Sequence, residues 1–110
     1  MATAKSIKFK SIYRCSLSGL SHHAYAMYAR QIEPGDEIIL DRDVGNRYDD
    51  FAIRASYEGE QIGWIPKGQN EIIARLLDAG LDIRAKVISH GKSKPLDQRV
   101  YVVICIAVEE

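Results

Sequence analysis

The densest group of side chains with chemical potential lies in one short segment, residues 41–50, which is rich in aspartate. Oxygen-rich loops of this kind can bind calcium, but the EF-hand pattern needs an oxygen ligand at the fifth position, glycine at the sixth and glutamate at the twelfth. Gly45, Asn46 and Ala52 stand at those positions. Asn46 and Asp49 are short side chains that bond their own backbone in turns. The segment therefore predicts an ordered loop, which either is architecture alone or also binds a ligand.

Two further side chains of this loop are suited to contacts beyond it. Arg42 can pair with a carboxylate, and Tyr48 can pack its ring while its hydroxyl stays at the rim. The chain has six tyrosines and one tryptophan, Trp64. Aromatic rings beside arginine and lysine bind single-stranded nucleic acid by base stacking and phosphate contact. The same rings are common at the edge of a small β-rich core, so their spacing alone leaves both interpretations open.

Other reactive residue types lack the spacing that their chemistry needs. His22 and His23 are adjacent, which separates their side chains on either a strand or a helix, and His90 is distant in sequence. Cys15 and Cys105 form no metal-binding pattern, and buried, reduced thiols are expected. No nucleophile turn or glycine-rich phosphate loop occurs. We therefore predict no catalytic residue, no metal and no cofactor, and expect that the protein is not an enzyme.

The charges balance, with 15 basic and 15 acidic residues in 110. A domain that coats duplex DNA needs a broad positive field, so net neutrality argues against that function. Basic residues nevertheless cluster near both ends of the chain, in residues 5–14 and 84–99. If those segments pair as neighbouring strands, one face is cationic; otherwise their lysines are simply solvated.

The length predicts a single domain over residues 1–110. The longest apolar run, residues 100–108, suits a buried strand and is too short to span a membrane. Residues 1–6 contain no apolar stretch typical of a signal peptide, which predicts a cytoplasmic protein without a membrane partner.

Alternating apolar residues predict the strands, which we assign to residues 6–17, 37–41, 51–57, 61–66, 82–89 and 99–108. Pro34 and Gly35 occupy the central positions of a predicted type II turn, and residues 58–60 predict a hairpin turn. Residues 21–31 are ambiguous between a short helix and a loop.

The period changes after residue 70, where helical spacing replaces alternation. Asn70 or Gln69 could cap this helix and Gly80 could end it. Its predicted apolar face consists of Ile72, Ile73, Leu76, Leu77 and Leu81. Many strands with few helices predict an α+β, mainly antiparallel fold, arranged as a small closed or partly closed barrel.

Three motifs in sequence order resemble the HIRAN family. The run LDRDVGNRYDDFAI at residues 40–53 resembles the signature in which an arginine and an acidic residue precede asparagine, then tyrosine-aspartate and alanine-isoleucine. GEQIGWIPK at residues 59–67 is similar to the second hairpin strand, and the predicted helix 70–80 follows it. SGLSHH at residues 18–23 is similar to an early glycine followed by aromatic or histidine residues. The resemblance spans roughly residues 13–87.

The resemblance implies an OB-like barrel of about six strands with one or two helices, and a nucleic-acid-binding function. In a remodelling ATPase that carries such a domain, it binds the free 3′ end of single-stranded DNA at stalled replication forks. By position, Tyr48 and Asp49 would stack the terminal base and accept the end hydroxyl. The other site residues implied by position are Ser21, His22, His23, Arg42, Asn46, Trp64 and Lys67.

The sequence also departs from the family pattern. Ser21 stands where a DNA-binding relative has arginine, Val44 where proline is common, and Phe51 where a polar residue is common. Residues 24–32 lengthen the first loop. The expected function is therefore a module for single-stranded DNA or DNA ends in repair or fork processing, with a helicase or nuclease acting in trans. The alternative is a protein-interaction domain that kept the fold and lost DNA binding.

Overall fold

The computed structural model describes residues 6–109, which form six strands, two α-helices and two 3-10 turns. The α-helices are α1, Tyr25–Tyr28, and α2, Glu71–Asp78, and the 3-10 turns are Leu20–His22 and Leu96–Gln98. The strands are β1 Ile7–Ser16, β2 Glu37–Arg42, β3 Ile53–Tyr57, β4 Glu60–Trp64, β5 Ile83–His90 and β6 Val100–Glu109. The predicted α+β, mainly antiparallel fold is confirmed. One predicted strand began too early, because residues 51 and 52 belong to the loop before β3.

All six strands belong to one antiparallel sheet in the order β1-β6-β5-β2-β3-β4. β1 and β4 are its edges. Just after β1, Ser18 and Trp64 exchange two backbone hydrogen bonds of 2.9 Å, the one bridge outside the named strands in residues 6–109. The sheet is therefore OB-like but not a closed barrel, since a single bridge stands where a strand ladder would be.

The core lies on one face of this sheet and follows the predicted alternation. In β3, Ile53, Ala55 and Tyr57 are buried while Arg54 between them is partly exposed. Removing such alternating apolar side chains from water is the main force that holds the strands in register.

Helix α2 contributes less to the core than its apolar spacing predicted. Ile73 and Ala74 are buried, but Ile72 is 73% exposed and Leu81 is 44% exposed. The prediction that both residues belong to the buried face was wrong. A helix of eight residues packed against the central strands β2 and β5 buries one narrow stripe, and the residues beside that stripe remain in solvent.

The predicted turns have the backbone conformations that their residues favour. Gly35 has a φ of 93°, and the Asp36 N–H donates to the Glu33 carbonyl at 3.1 Å, as in a type II turn. Glu58 and Gly59 have φ values of 51° and 83°, which match the twisted two-residue turn of a hairpin.

The ambiguous segment after β1 is neither one helix nor a free loop. The turn Leu20–His22 and the helix α1 fold onto the sheet because Leu20, Tyr25 and Ile32 are buried. The hydroxyl of Tyr25 lies 2.7 Å from Nε2 of His90 in β5. The Ala24 N–H donates to the Gln61 carbonyl of β4 at 3.0 Å, so the segment is also fastened beside β4.

Both cysteines are free thiols, but only Cys15 is buried; Cys105 is half-exposed, contrary to the prediction for it. Burial raises the pKa of the Cys15 thiol to about 11.

β6 lies between the basic strands β1 and β5, so these two strands are not neighbours and their cations stand two strands apart. Within residues 6–109, no helix has the length and apolar character needed to cross a membrane.

Candidate nucleic-acid interface

The loop between β2 and β3 is held in shape by its own short polar side chains. The Asn46 side-chain oxygen accepts the backbone N–H of Tyr48 at 2.9 Å and that of Asp49 at 3.1 Å. Its side-chain nitrogen donates to the Asp43 carboxylate at 2.9 Å, and the Asp49 carboxylate accepts the Phe51 N–H at 2.9 Å. Asn46 is therefore the residue that orients Tyr48 and Asp49, and its side-chain oxygen accepts two hydrogen bonds from the loop backbone.

Arg42 supports this loop through hydrogen bonds on the side that faces the protein interior. Its guanidinium donates to the carbonyls of Ala52 at 2.7 Å and Asp50 at 2.9 Å, and to the Asp78 carboxylate of α2 at 3.0 Å. Its side chain is only 13% exposed. The structure places this predicted site residue in a supporting position, joining β2, the loop and α2, with its donors committed inside the protein.

Asp49 has a second partner that the sequence did not reveal. The side-chain nitrogen of Asn70 donates to the Asp49 carboxylate at 2.8 Å, and Asn70 is 2% exposed. Asn70 occupies the N-cap position of α2, one of the two positions predicted for the cap, but its side chain makes no capping hydrogen bond. Asparagine before an apolar helical run is typical of a cap, and no local spacing distinguishes a cap from a long-range donor.

The Asp49 carboxylate still has hydrogen-bond acceptor positions that a ligand could use. A carboxylate offers about four lone-pair positions, and two hydrogen bonds from Asn70 and Phe51 hold its two oxygens in place. Acceptor positions are left for an outside donor.

Tyr48 and Lys67 present their side chains at the surface. Tyr48 is 81% exposed, so its ring does not pack into the core, as most aromatic rings do. Lys67, in the segment between β4 and α2, donates from its ammonium to the Tyr48 backbone carbonyl. This contact joins the two loops and leaves the Tyr48 ring free to stack on a planar ligand.

Trp64 forms the opposite wall and is oriented by His23. The indole N–H donates to Nε2 of His23 at 2.8 Å, and the rings meet edge to face with centroids 5.6 Å apart. Accepting at Nε2 requires the neutral imidazole, and burial together with the charge of His22 lowers the pKa of His23. His23 therefore acts on the site by positioning Trp64.

The residues on loop, strand and turn converge on one groove. It has a volume of about 270 Å³ and is lined by Ser18, Asn46, Tyr48, Asp49, Ala52, Trp64, Ile65 and Lys67. An adjoining recess of about 390 Å³ shares Tyr48, Asp49 and Lys67 and adds Arg47, Asp50 and Phe51.

Five of the nine residues implied by the family resemblance thus line the groove: Asn46, Tyr48, Asp49, Trp64 and Lys67. His23 and Arg42 lie behind it. Ser21 and His22 are exposed on the neighbouring 3-10 turn and do not line it. Arg47, which lines the adjoining recess, was not predicted, although its place directly before Tyr48 in the motif was a usable signal.

Comparison with solved structures supports the fold. A crystal structure of a protein from Lactobacillus plantarum superposes with a TM-score of 0.79 at 21% identity, covering 97% of this chain and all 100% of that one. The crystal structure of the HIRAN domain of human HLTF superposes with a TM-score of 0.73 at 20% identity, covering 94% of this chain and 81% of that one. At such identities the likeness concerns the fold. No curated protein matched the sequence.

The sequence comparison extends from fold to family. The family profile of the HIRAN domain matches residues 12–104, which include every strand except the start of β1 and the end of β6, and the whole groove. HIRAN domains are nucleic-acid-binding modules. The chain belongs to the HIRAN domain family.

Proposed function

We propose that this protein binds single-stranded DNA at a free 3′ end, with the Tyr48 ring stacked on the terminal base and the Asp49 carboxylate accepting the terminal hydroxyl. The observation that carries the proposal is the pairing of an 81% exposed ring with a carboxylate held by the buried Asn70. An exposed ring next to a fixed acceptor is the arrangement that stacking and hydroxyl recognition need.

The charge of Asp49 determines which end is accepted. An ionised carboxylate accepts hydrogen bonds and donates none, so a 3′ hydroxyl is a partner and a 3′ phosphate is repelled. Internal nucleotides have no free 3′ hydroxyl, and this favours an end over the middle of a strand.

Cations on both sides of Asp49 would bind the phosphates that follow the end. Lys67 belongs to both the groove and the recess, and Arg47 extends from the recess. In the part of the chain that the structure describes, Arg47 has no hydrogen bond or ion pair, so it is available to a phosphate. Trp64 offers the second apolar wall, and the exposed His22 lies on the neighbouring 3-10 turn.

The proposed setting is DNA repair or replication-fork processing in the cytoplasm, where a helicase or nuclease in trans acts on the same DNA. The protein would mark or hold the end while the other enzyme works. The family membership supports nucleic acid as the partner; the setting is part of the proposal.

Binding to fluorescein-labelled decathymidylate with either a 3′ hydroxyl or a 3′ phosphate, measured by anisotropy, tests end recognition. We expect the hydroxyl end to bind at least about tenfold more tightly, which corresponds to about 1.4 kcal/mol. Asp49→Asn should remove most of this preference, because it removes the charge that repels phosphate. Asp50→Asn changes the same charge on the adjacent residue and should preserve the preference.

Tyr48 is tested in the same assay. Tyr48→Ala should weaken binding by about 1–3 kcal/mol, while Tyr48→Phe, which keeps the ring, should bind nearly as well as the parent. Equal affinity for both DNA ends in the parent protein would refute end recognition.

One observation favours the alternative of a protein-interaction domain. Ser21 is exposed and uncharged where a DNA-binding relative has arginine, so this position offers no cation to a phosphate. This alternative predicts no measurable DNA binding by the parent protein, and partner binding that survives Tyr48→Ala and Asp49→Asn.

A further inference from the structure

A second and larger groove lies between β1 and α2, away from the DNA site. It has a volume of about 610 Å³ and is lined by Ile12, Tyr13, Gly68, Gln69, Glu71, Ile72, Ile73 and Leu76. Its surface is mostly apolar. Ile72 is 73% exposed and Ile12 is 39% exposed at its mouth. Clustered apolar side chains left in water mark a surface that a partner covers.

The wall of this groove is also the free edge of the sheet. β1 pairs with β6 on one side, and no strand in residues 6–109 pairs with its other side. The register shifts between Ser11 and Tyr13, so Ile12 has no cross-strand partner and both Ile12 and Tyr13 line the groove. Residues 7–11 before this bulge are regular, and their outward backbone groups are suited to pairing with an added strand.

The charge of β1 limits what can pair with it. The strand contains three basic residues and no acidic one. Lys10 and Arg14 are exposed and have no ion pair in the described part of the chain. A second copy of β1 would bring like charges together, which costs free energy on neighbouring strands. An incoming strand with acidic side chains would instead be attracted.

Nucleic acid fits this groove less well than a peptide. The lining residues include no lysine or arginine to bind phosphates, and the Glu71 carboxylate in the wall is paired with Arg75 at 3.1 Å. Tyr13 is the single aromatic ring among the lining residues, and its hydroxyl is bonded to Gln69 at 2.7 Å. Aliphatic side chains in a groove beside a free strand edge are typical of β-strand addition.

We propose that an extended segment of a partner protein, with acidic and apolar residues, adds to β1 as a seventh strand. Its backbone pairs with residues 7–11, and acidic side chains lie beside Lys10 on one face of the sheet and beside Arg14, beyond the bulge, on the other face. One apolar side chain enters the groove beside Ile72. This interaction is independent of the DNA site, because the two grooves share no lining residue.

Selection of phage-displayed random twelve-residue peptides on the full-length immobilised protein tests the proposal. Enriched peptides should combine acidic residues with at least one apolar residue, and their synthetic forms should lose at least about tenfold in affinity for Ile72→Asp. Ile72 is exposed, so the variant should fold, and unchanged binding of decathymidylate would verify that. If the same peptides were enriched equally in a parallel selection on the Ile72→Asp variant, the proposal would be refuted.

Charge reversal and NMR mapping provide a second measurement. Lys10→Glu with Arg14→Glu should change the preference of the protein from acidic to basic peptides. In the parent, amide shifts on peptide binding should fall in residues 7–14 and around Ile72. Shifts around Tyr48 instead, displacement of the peptide by decathymidylate, or a dimer that Ile72→Asp abolishes would each overturn the assignment to an acidic peptide partner.

Discussion

In the proposed DNA site, the buried amide of Asn70 has a supporting role and the exposed ring of Tyr48 a binding role. Asn46, Arg42 and Asn70 direct their polar groups at other residues of the protein, and they hold the loop and its carboxylate in place. Tyr48 and Arg47 direct theirs outward, and Lys67 lines the groove while its ammonium donates to the Tyr48 backbone carbonyl. Asp49 belongs to both groups, since its two oxygens are oriented by internal donors and still accept from outside. A site arranged in this way should be sensitive to residues that no ligand touches.

Asn70→Ala should lower both stability and DNA binding. The change removes a buried donor and leaves the Asp49 carboxylate short of one partner, which we expect to cost about 1–3 kcal/mol in the free energy of unfolding. Urea denaturation measures this loss. Preference for the 3′ hydroxyl should fall as well, because Asp49 is no longer held.

Gln69→Ala is the matched control for that variant. Gln69 is the neighbouring amide, but it is exposed and contacts Tyr13 on the other side of the loop. Its removal should change stability by less than about 0.5 kcal/mol. If Asn70→Ala were as stable as Gln69→Ala and kept the preference for hydroxyl ends, Asn70 would have no role in positioning Asp49.

Among the elements, the contact of the segment after β1 with β4 determines the shape of the groove. The bridge between Ser18 and Trp64 requires a close backbone approach. A Cβ on Gly63 would lie 2.6 Å from the Ser18 carbonyl oxygen, and one on Gly19, whose φ is 69°, would lie 2.9 Å from the Trp64 ring. Glycine at both positions is therefore a requirement of packing, and the wall formed by Trp64 depends on it.

Gly63→Ala should separate this segment from β4. The new methyl group would contact backbone, which cannot move without breaking the bridge, so we expect a loss of about 2–4 kcal/mol in the free energy of unfolding. Trp64 fluorescence should change in the folded state, because the indole loses its fixed distance from His23. Thermal unfolding and emission spectra measure the two effects.

Gly91→Ala serves as the comparison. A Cβ there would meet only the flexible Lys94 side chain, at 2.7 Å, and this side chain can move aside. Stability within about 0.5 kcal/mol of the parent is expected. An equal loss in both variants would contradict the assignment of a specific close approach to Gly63.

The whole molecule is electrically neutral, with 15 positive and 15 negative side chains. Binding through a broad cationic surface is therefore unfavourable, and a neutral protein gains affinity from a few well-placed contacts. A small groove with two adjacent cations, Lys67 and Arg47, can provide such contacts without a broad positive surface. The free edge of β1, with its excess of positive charge, is a separate feature on the far side of α2.

The affinity for single-stranded DNA should accordingly depend only weakly on salt. Each phosphate neutralised contributes about −0.7 to the slope of log K against log salt, so contacts by Lys67 and Arg47 predict a slope of about −1.4. Lys67→Ala should make the slope shallower by about 0.7. Lys86→Ala, which removes an exposed cation from β5, should leave it unchanged. A slope steeper than about −4 in the parent would indicate a broad phosphate-binding face instead.

Local patterns in the sequence were sufficient to predict the strands and turns and to indicate the family. Alternation predicted each strand to within a few residues, and Pro34, Gly35, Glu58 and Gly59 predicted their turns, because backbone conformation at a turn depends on the residues in it. The motifs at residues 40–53 and 59–67 indicated the HIRAN family, which the family profile confirmed. These signals are all contained within a short stretch of chain.

The tertiary structure alone decided which side chains act and which support. Asn70 bonds a carboxylate 21 residues away, and Trp64 bonds a histidine 41 residues away, so neither role leaves a local pattern. The exposure of Ile72 depends on what packs against α2, and the open sheet depends on how far the segment after β1 pairs with β4. Periodicity records the preference of one segment, whereas burial and hydrogen-bond partners are properties of two segments that meet only after folding.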